Sequence, residues 1–100
     1  MEVTFSAHAL VQMERRGISR EEAVATLMDA GEEFTSLLEG LEEEAYLSLP
    51  LPIQKVHFDS IESKQMLLRV FVRLRQDGFH VLTAYKTSRI GRYLPPETQP

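Results

Sequence analysis

Cysteine and tryptophan are absent from this 100-residue chain, and glycine and proline number five each. Without cysteine there are no disulfides and no thiol chemistry, which fits a reducing compartment. No apolar run reaches the length of a membrane span, and the N-terminus has Glu2 and no signal-type apolar stretch. The expectation is a cytoplasmic protein with no membrane partner. The three histidines, His8, His57 and His80, are isolated and lack ligand spacing, so neither a metal nor another cofactor is indicated. A GxSxG elbow and a phosphate-cradling glycine loop are also missing, which leaves no competing nucleophile or nucleotide site.

What is present reads as one globular domain over residues 1–94, followed by a flexible Pro-rich tail at 95–100, with 43% hydrophobic and 26% charged residues. The formal net charge is −4, but it is unevenly spread. Residues 29–44 hold seven acidic side chains and no basic one, whereas residues 69–92 hold six basic side chains against Asp77 alone. Phosphate binding depends on a local basic surface, which a low overall pI does not forbid. The acidic block reads as a solvated edge or as a docking surface for a basic partner.

Two helices open the chain. Ser6 can cap a helix over about Ala7–Arg16, and Gly17 with Ile18 after it is a helix stop with its hydrophobic contact. On a helical wheel Leu10 and Met13 share one side, while His8, Gln12, Arg15 and Arg16 crowd the other. An imidazole in the first turn is a candidate general base, and also an ordinary surface residue. Ser19-Arg20-Glu21-Glu22 fits a capping box for a second helix, with Val24, Leu27 and Met28 as its apolar stripe, Ala23 beside them and Gly31 as its stop.

The middle of the chain is less periodic. Phe34–Leu38 and Ala45–Leu49 suggest strands, with a turn at Gly40 between them. Pro50 and Pro52 end the second strand or confine the next one to a sheet edge. Ile53–Phe58 suggests a further strand, with Val56 and Phe58 on one side and His57 on the other, and Asp59–Gln65 suggests a loop. The strongest β pattern is a hairpin, Met66–Arg75 and Phe79–Tyr85 about Asp77-Gly78. A two-residue turn there pairs Leu74 with Val81, Val72 with Thr83 and Val70 with Tyr85, placing Thr83 and Tyr85 on the helix-facing side with the valines. A turn longer by one residue on one side reverses that facing. The exposed hairpin edge admits either a monomer or a homodimer.

His8-Ala9, Met13 and Arg16-Gly17-Ile18-Ser19 match, in order and spacing, the HAxxRMxxRGIs signature of a small bacterial domain family of unknown function. Thr83-Ala84-Tyr85-Lys86-Thr87-Ser88 resembles its second signature, a vTaY strand end with a polar and basic tail after it. Gln12 departs, standing where the family carries Arg. The resemblance covers the two terminal thirds of the chain and implies an α+β fold, with two N-terminal helices packed on an antiparallel sheet of about four strands. That fold is grouped with the RelE-like and BrnT-like toxins, barnase and the colicin nucleases.

Several of those fold relatives are metal-independent ribonucleases. Cleavage through the 2′-hydroxyl needs a base, cations at the phosphate and a donor for the leaving oxygen. The resemblance therefore implies catalytic roles for His8, Arg16, Lys86, Tyr85 and Thr83. Gln12, Arg15, Ser88, Arg89 and Arg92 become candidate substrate contacts, Arg being suited to gripping two phosphate oxygens. Each has a structural counterpart: Thr83 is a strand former, Tyr85 can be core with its hydroxyl at the rim, and Arg16 can complement a helix C-terminus. The expected function is a toxin-like RNase with RNA as substrate and a cognate antitoxin or immunity protein as partner. The alternative is a protein- or RNA-binding domain on the same fold that does not cut.

Overall fold

The computed structural model describes residues 2–29, 51–75 and 78–93. Along the chain these form β1 (Glu2–Phe5), α1 (Ala7–Arg15), α2 (Arg20–Asp29), β2 (Leu51–Asp59), β3 (Lys64–Arg75), β4 (Gly78–Thr87) and a single helical turn, α3 (Ile90–Tyr93). The fold is α+β. The four strands make one sheet in the order β1-β4-β3-β2, antiparallel except that β1 runs parallel to β4. The two N-terminal helices lie on one face, α1 over β4 and α2 over β2 and β3. This arrangement is consistent with RelE-like topology. No helix among the described residues is long and apolar enough to cross a membrane.

Ser6 makes the change from strand to helix possible. Its backbone is extended, its N–H donates to the Val81 carbonyl at 2.9 Å, and its hydroxyl accepts from Ala9 N at 2.9 Å. One residue thus ends β1 on the sheet and caps α1. At the other end of α1, Gly17 adopts φ +66, Ile18 N donates to Met13 O at 2.9 Å, and Gly17 N donates to Glu14 O at 3.3 Å. These two bonds form a Schellman stop, and the Ile18 side chain is buried as that motif requires.

The second helix keeps half of its expected capping box. Glu22 N donates to the Ser19 hydroxyl at 3.0 Å, but the Glu22 carboxylate turns to Lys86. Its buried stripe is Ala23, Thr26 and Leu27, whereas Met28 is half exposed. Thr26 is tolerated inside because its hydroxyl donates to the Glu22 carbonyl at 2.9 Å.

Ala9, Met13, Ile18, Ala23 and Leu27 from the helical layer meet Leu51 and Ile53 of β2, Leu68, Val70 and Val72 of β3, and Phe79, Val81 and Ala84 of β4. Burial of each large member contributes about 1.5–3 kcal/mol. β2 is longer than the Ile53–Phe58 stretch and contains Pro52, which it accommodates as the edge strand among the described residues, where one side of it makes no ladder bonds. β3 begins at Lys64, inside the stretch read as a loop.

The hairpin forms, but in another register. Arg75 pairs with Gly78, Leu74 with Phe79 and Val72 with Val81; beyond an irregularity, Phe71 pairs with Thr83, Val70 with Ala84 and Arg69 with Tyr85. Leu82 is the extra residue, a bulge that shifts the alternation of β4 by one. Thr83 and Tyr85 therefore lie on the face away from the helices, opposite to the expected facing. The strands expected at 34–38 and 45–49, the turn at Gly40, the stop at Gly31, the acidic run beyond Asp29 and the tail at 95–100 all lie outside the described residues.

At Gly78 the backbone passes so close to Glu2 that a Cβ would fall inside the contact shell of the Glu2 carbonyl. Around Gly17 the space is open, and only its left-handed conformation resists a side chain. Gly78→Ala is expected to cost about 1–3 kcal/mol, as overpacking does, and Gly17→Ala about 1–2 kcal/mol from backbone strain alone. Urea midpoints at constant m measure both.

Candidate functional site

The helical side places the first group of candidate residues. His8 is exposed in the first turn of α1, and Arg16 stands just past the other end, eight residues or about 12 Å along the axis. Arg16 turns onto the sheet. Its Nη1 donates to the Ala84 carbonyl at 2.8 Å and to the Thr83 hydroxyl at 3.5 Å. β1 covers β4 only from Gly78 to Val81, so this guanidinium satisfies a carbonyl of the uncovered edge. Gln12 is half-buried on α1, and Arg15 is exposed.

Lys86 shares the alternation of Ala84 and so extends from the helix-facing side of β4. Its Nζ lies 3.0 Å from Asp59 Oδ2 and 3.0 Å from Glu22 Oε2. Asp59, itself buried, also accepts from Ile61 N at 2.9 Å and Glu62 N at 3.0 Å, which ties down the β2–β3 turn. The bonds from Glu62 N and Lys86 hold the Asp59 carboxyl below its usual value. Burial pushes the Lys86 ammonium down, but Glu22 and Asp59 outweigh it and the net shift is upward. The one ammonium is balanced by two carboxylates, and its charge is not free for a phosphate.

Arg16, Lys86 and Tyr85 share a cleft of about 480 Å³ with Gly17, Asp59, Ile61, Glu62 and Met66. Thr83 joins them through Arg16. His8 is not among the lining residues. The cleft therefore gathers three of the five expected catalytic side chains around two carboxylates and omits the expected base.

On the opposite face stands a group that no sequence motif had brought together. Arg69 reaches across from β3: its Nε donates to Gln54 Oε1 at 2.9 Å and its Nη1 donates to the Tyr85 hydroxyl. The guanidinium carbon lies 4.1 Å from the ring centre of Tyr93, 5.1 Å from that of Phe71 and 5.6 Å from that of Tyr85. Phe71 and Tyr85 are stacked, with centroids 6.0 Å apart and planes at 21°. Contacts of this kind contribute about 0.5–2 kcal/mol each, more as water is excluded.

Tyr93 arrives through the turn after β4. The Thr87 hydroxyl accepts from Arg89 N at 3.1 Å, Arg92 N donates to Arg89 O at 3.2 Å, and α3 folds back so that the Tyr93 carbonyl accepts from Gln54 Nε2 at 3.5 Å. Ser88, Arg89 and Arg92 stay exposed around this turn, Arg92 with its guanidinium 5.8 Å from the Tyr93 ring centre. Partial burial acts to raise the Tyr85 hydroxyl. Hydrogen bonds from Tyr93 and Arg69, together with the charges of Arg69 and Arg92, prevail and hold it below its ordinary value.

The two faces of the sheet differ in charge. By strand alternation Arg69, Arg73 and Arg75 point away from the helices, as do Phe71, Tyr85, Thr83 and His80. The described carboxylates lie on the helices (Glu14, Glu21, Glu22, Asp29) and at the β2–β3 turn (Asp59, Glu62), except Glu2, which stands on the outer face beyond Gly78, on the rung of Arg75. Among the described residues no cluster of His, Cys, Asp or Glu is placed to hold a metal. Comparison with known families, with characterised proteins and with solved structures returns no match to this chain.

The signal for the outer group was present in Arg69-Val70-Phe71-Val72-Arg73, whose alternation puts arginine and phenylalanine on one side and valine on the other. The counter-charges of Lys86 had no local signal, because they come from α2 and from the end of β2.

A group whose native pKa is lowered adds stability above its unfolded value, about 4 for Asp, and that stability is lost as pH falls through the native value. Wild-type protein is therefore expected to lose stability as pH falls below about 5. Asp59→Asn should be less stable at pH 7 and show a flatter profile below pH 5, as read by urea midpoints across that range.

Proposed function

We propose that this domain binds RNA on its outer sheet face and cleaves it through the 2′-hydroxyl without a metal, as a toxin-like endoribonuclease. The observation that carries the reading is the Arg69 guanidinium, seated on the Tyr93 ring, holding the Tyr85 hydroxyl, to which Tyr93 also bonds. A phenol held below its ordinary value beside a cation is a general base available nearer neutral pH.

In this reading ionised Tyr85 takes the proton of the 2′-hydroxyl as the 2′-oxygen attacks phosphorus. The bond from phosphorus to the 5′-oxygen breaks, and that oxygen takes a proton from the Tyr93 hydroxyl. The products are a 2′,3′-cyclic phosphate and a 5′-hydroxyl end. The Arg69 N–H groups not directed to Gln54 or Tyr85 stabilise the charge that builds on the phosphoryl oxygens. Arg92 and Arg89 add positive charge at the rim. Lys86, Arg16 and Thr83 become structural in this scheme, and His8 has no part in the reacting group.

The second reading is a domain of the same fold that binds RNA or protein without cutting, and Gln12 and the neutralised Lys86 favour it. In the first reading the partners are RNA and a cognate antitoxin or immunity protein whose acidic surface covers the arginines.

Purified protein incubated with total bacterial RNA in EDTA tests the proposal. Cleavage is expected in wild type, with a loss of about 10²–10⁴-fold in Tyr85→Phe, the range for a general base, and full activity in His8→Ala. The rate should rise with pH as Tyr85 ionises and level off below pH 10. Cleavage lost in His8→Ala and kept in Tyr85→Phe would move the reaction to the first helix. Binding without cleavage would establish the second reading.

A further inference from the structure

We infer that the substrate form is single-stranded RNA laid along β3, with phosphates tracking Arg69, Arg73 and Arg75 and a base stacked on Phe71; this rests on the RNA reading of the same face. Three arginines of one strand share one side of the sheet, spanning six residues or about 20 Å at the rise of a β-strand. Phe71 stands between the first two and is half-buried, so part of its ring is open to solvent. Its stacking on Tyr85 and the guanidinium 5.1 Å from its centre fix the ring in place. An anionic polymer is the partner that fits, because three arginines share this face while the described carboxylates lie on the helical side or at the β2–β3 turn, apart from Glu2, which stands beyond Gly78 at the Arg75 end of the track.

The aromatic rings decide which polymer form. Bases in a duplex are stacked on one another, and those of an A-form helix are recessed from a sheet surface, so a flat ring gains nothing from them. An unpaired base has a free face, and stacking on an aromatic side chain is worth about 1–3 kcal/mol per base. The path also has a direction. Arg73 and Arg75 lie toward the hairpin end, so the track extends from the Arg69–Tyr85 pair to one side only and holds the nucleotides flanking the cleaved bond.

The test uses a fluorescein-labelled 12-nucleotide 2′-O-methyl RNA, which cannot be cut through its blocked 2′-oxygen, and the same strand annealed to its complement. Fluorescence anisotropy is read from 50 to 300 mM salt on wild type, Phe71→Ala and the double variant Arg73→Gln/Arg75→Gln. The two arginines are half-buried and exposed, so that variant is expected to keep the wild-type urea midpoint. The single strand should bind at least tenfold more tightly than the duplex. Phe71→Ala should lose about 5- to 100-fold. The double variant should reduce the salt slope by about 1.4, two phosphates at 0.7 each. Equal binding of duplex and single strand, or an unchanged salt slope, would overturn the single-strand track. Cleavage of unmodified RNA that depends on Tyr85 would in that case still support the parent reading, whereas absence of both binding and cleavage overturns the two together.

Discussion

Leu82 is one residue more than β3 can match, and the difference between the two faces of the sheet arises from it. Near the hairpin, Phe79 and Val81 point toward the helices. Without the extra residue, Thr83 and Tyr85 would continue in phase with them and enter the core. The bulge shifts the alternation, so that Ala84 takes the inward position and Tyr85 turns outward to Arg69. Ala84 is fully buried, and its small side chain leaves room for α1 above β4. Lys86 comes next on the helical side, where Glu22 and Asp59 receive it.

Local signals were legible in the sequence, and relations between strands were not. Ser6, Gly17-Ile18 and Ser19 announce their helix ends because a cap is settled within four residues. The hairpin is legible because apolar and polar residues alternate along both arms. Its register is not, since a bulge belongs to two strands at once and leaves no mark in either alone. That one uncertainty reverses the facing of Tyr85 and hides the Arg69 group. Tyr93 is hidden for another reason: a four-residue helical turn has no periodicity to read. Of the site residues suggested by sequence, Arg16, Thr83, Tyr85 and Lys86 do converge at the end of β4, but they divide between two faces with different electrostatics.

That division reconciles an acidic chain with a basic surface. On the helical side the two lysines meet carboxylates, Lys55 with Asp29, and Lys86 with Glu22 and Asp59. On the outer side Arg69 meets three aromatic rings and the Gln54 amide, which hold it in place without cancelling its charge. A ring stack holds a guanidinium without an opposing charge and leaves its field intact, so the local potential is set by partner type and not by net charge.

The parallel pairing of β1 with β4 has a consequence for how the chain reaches this form. Thr4 bonds His80 across 76 positions, and Ser6 caps the first helix while bonded to Val81 and Leu82. Contacts so distant in sequence close slowly, and during synthesis the first strand must wait for nearly the last. The Arg69 face is completed later still, by Tyr93. A nascent chain thus carries neither the complete sheet nor the assembled arginine–aromatic group on its outer face, and both are withheld until translation of the domain is almost finished.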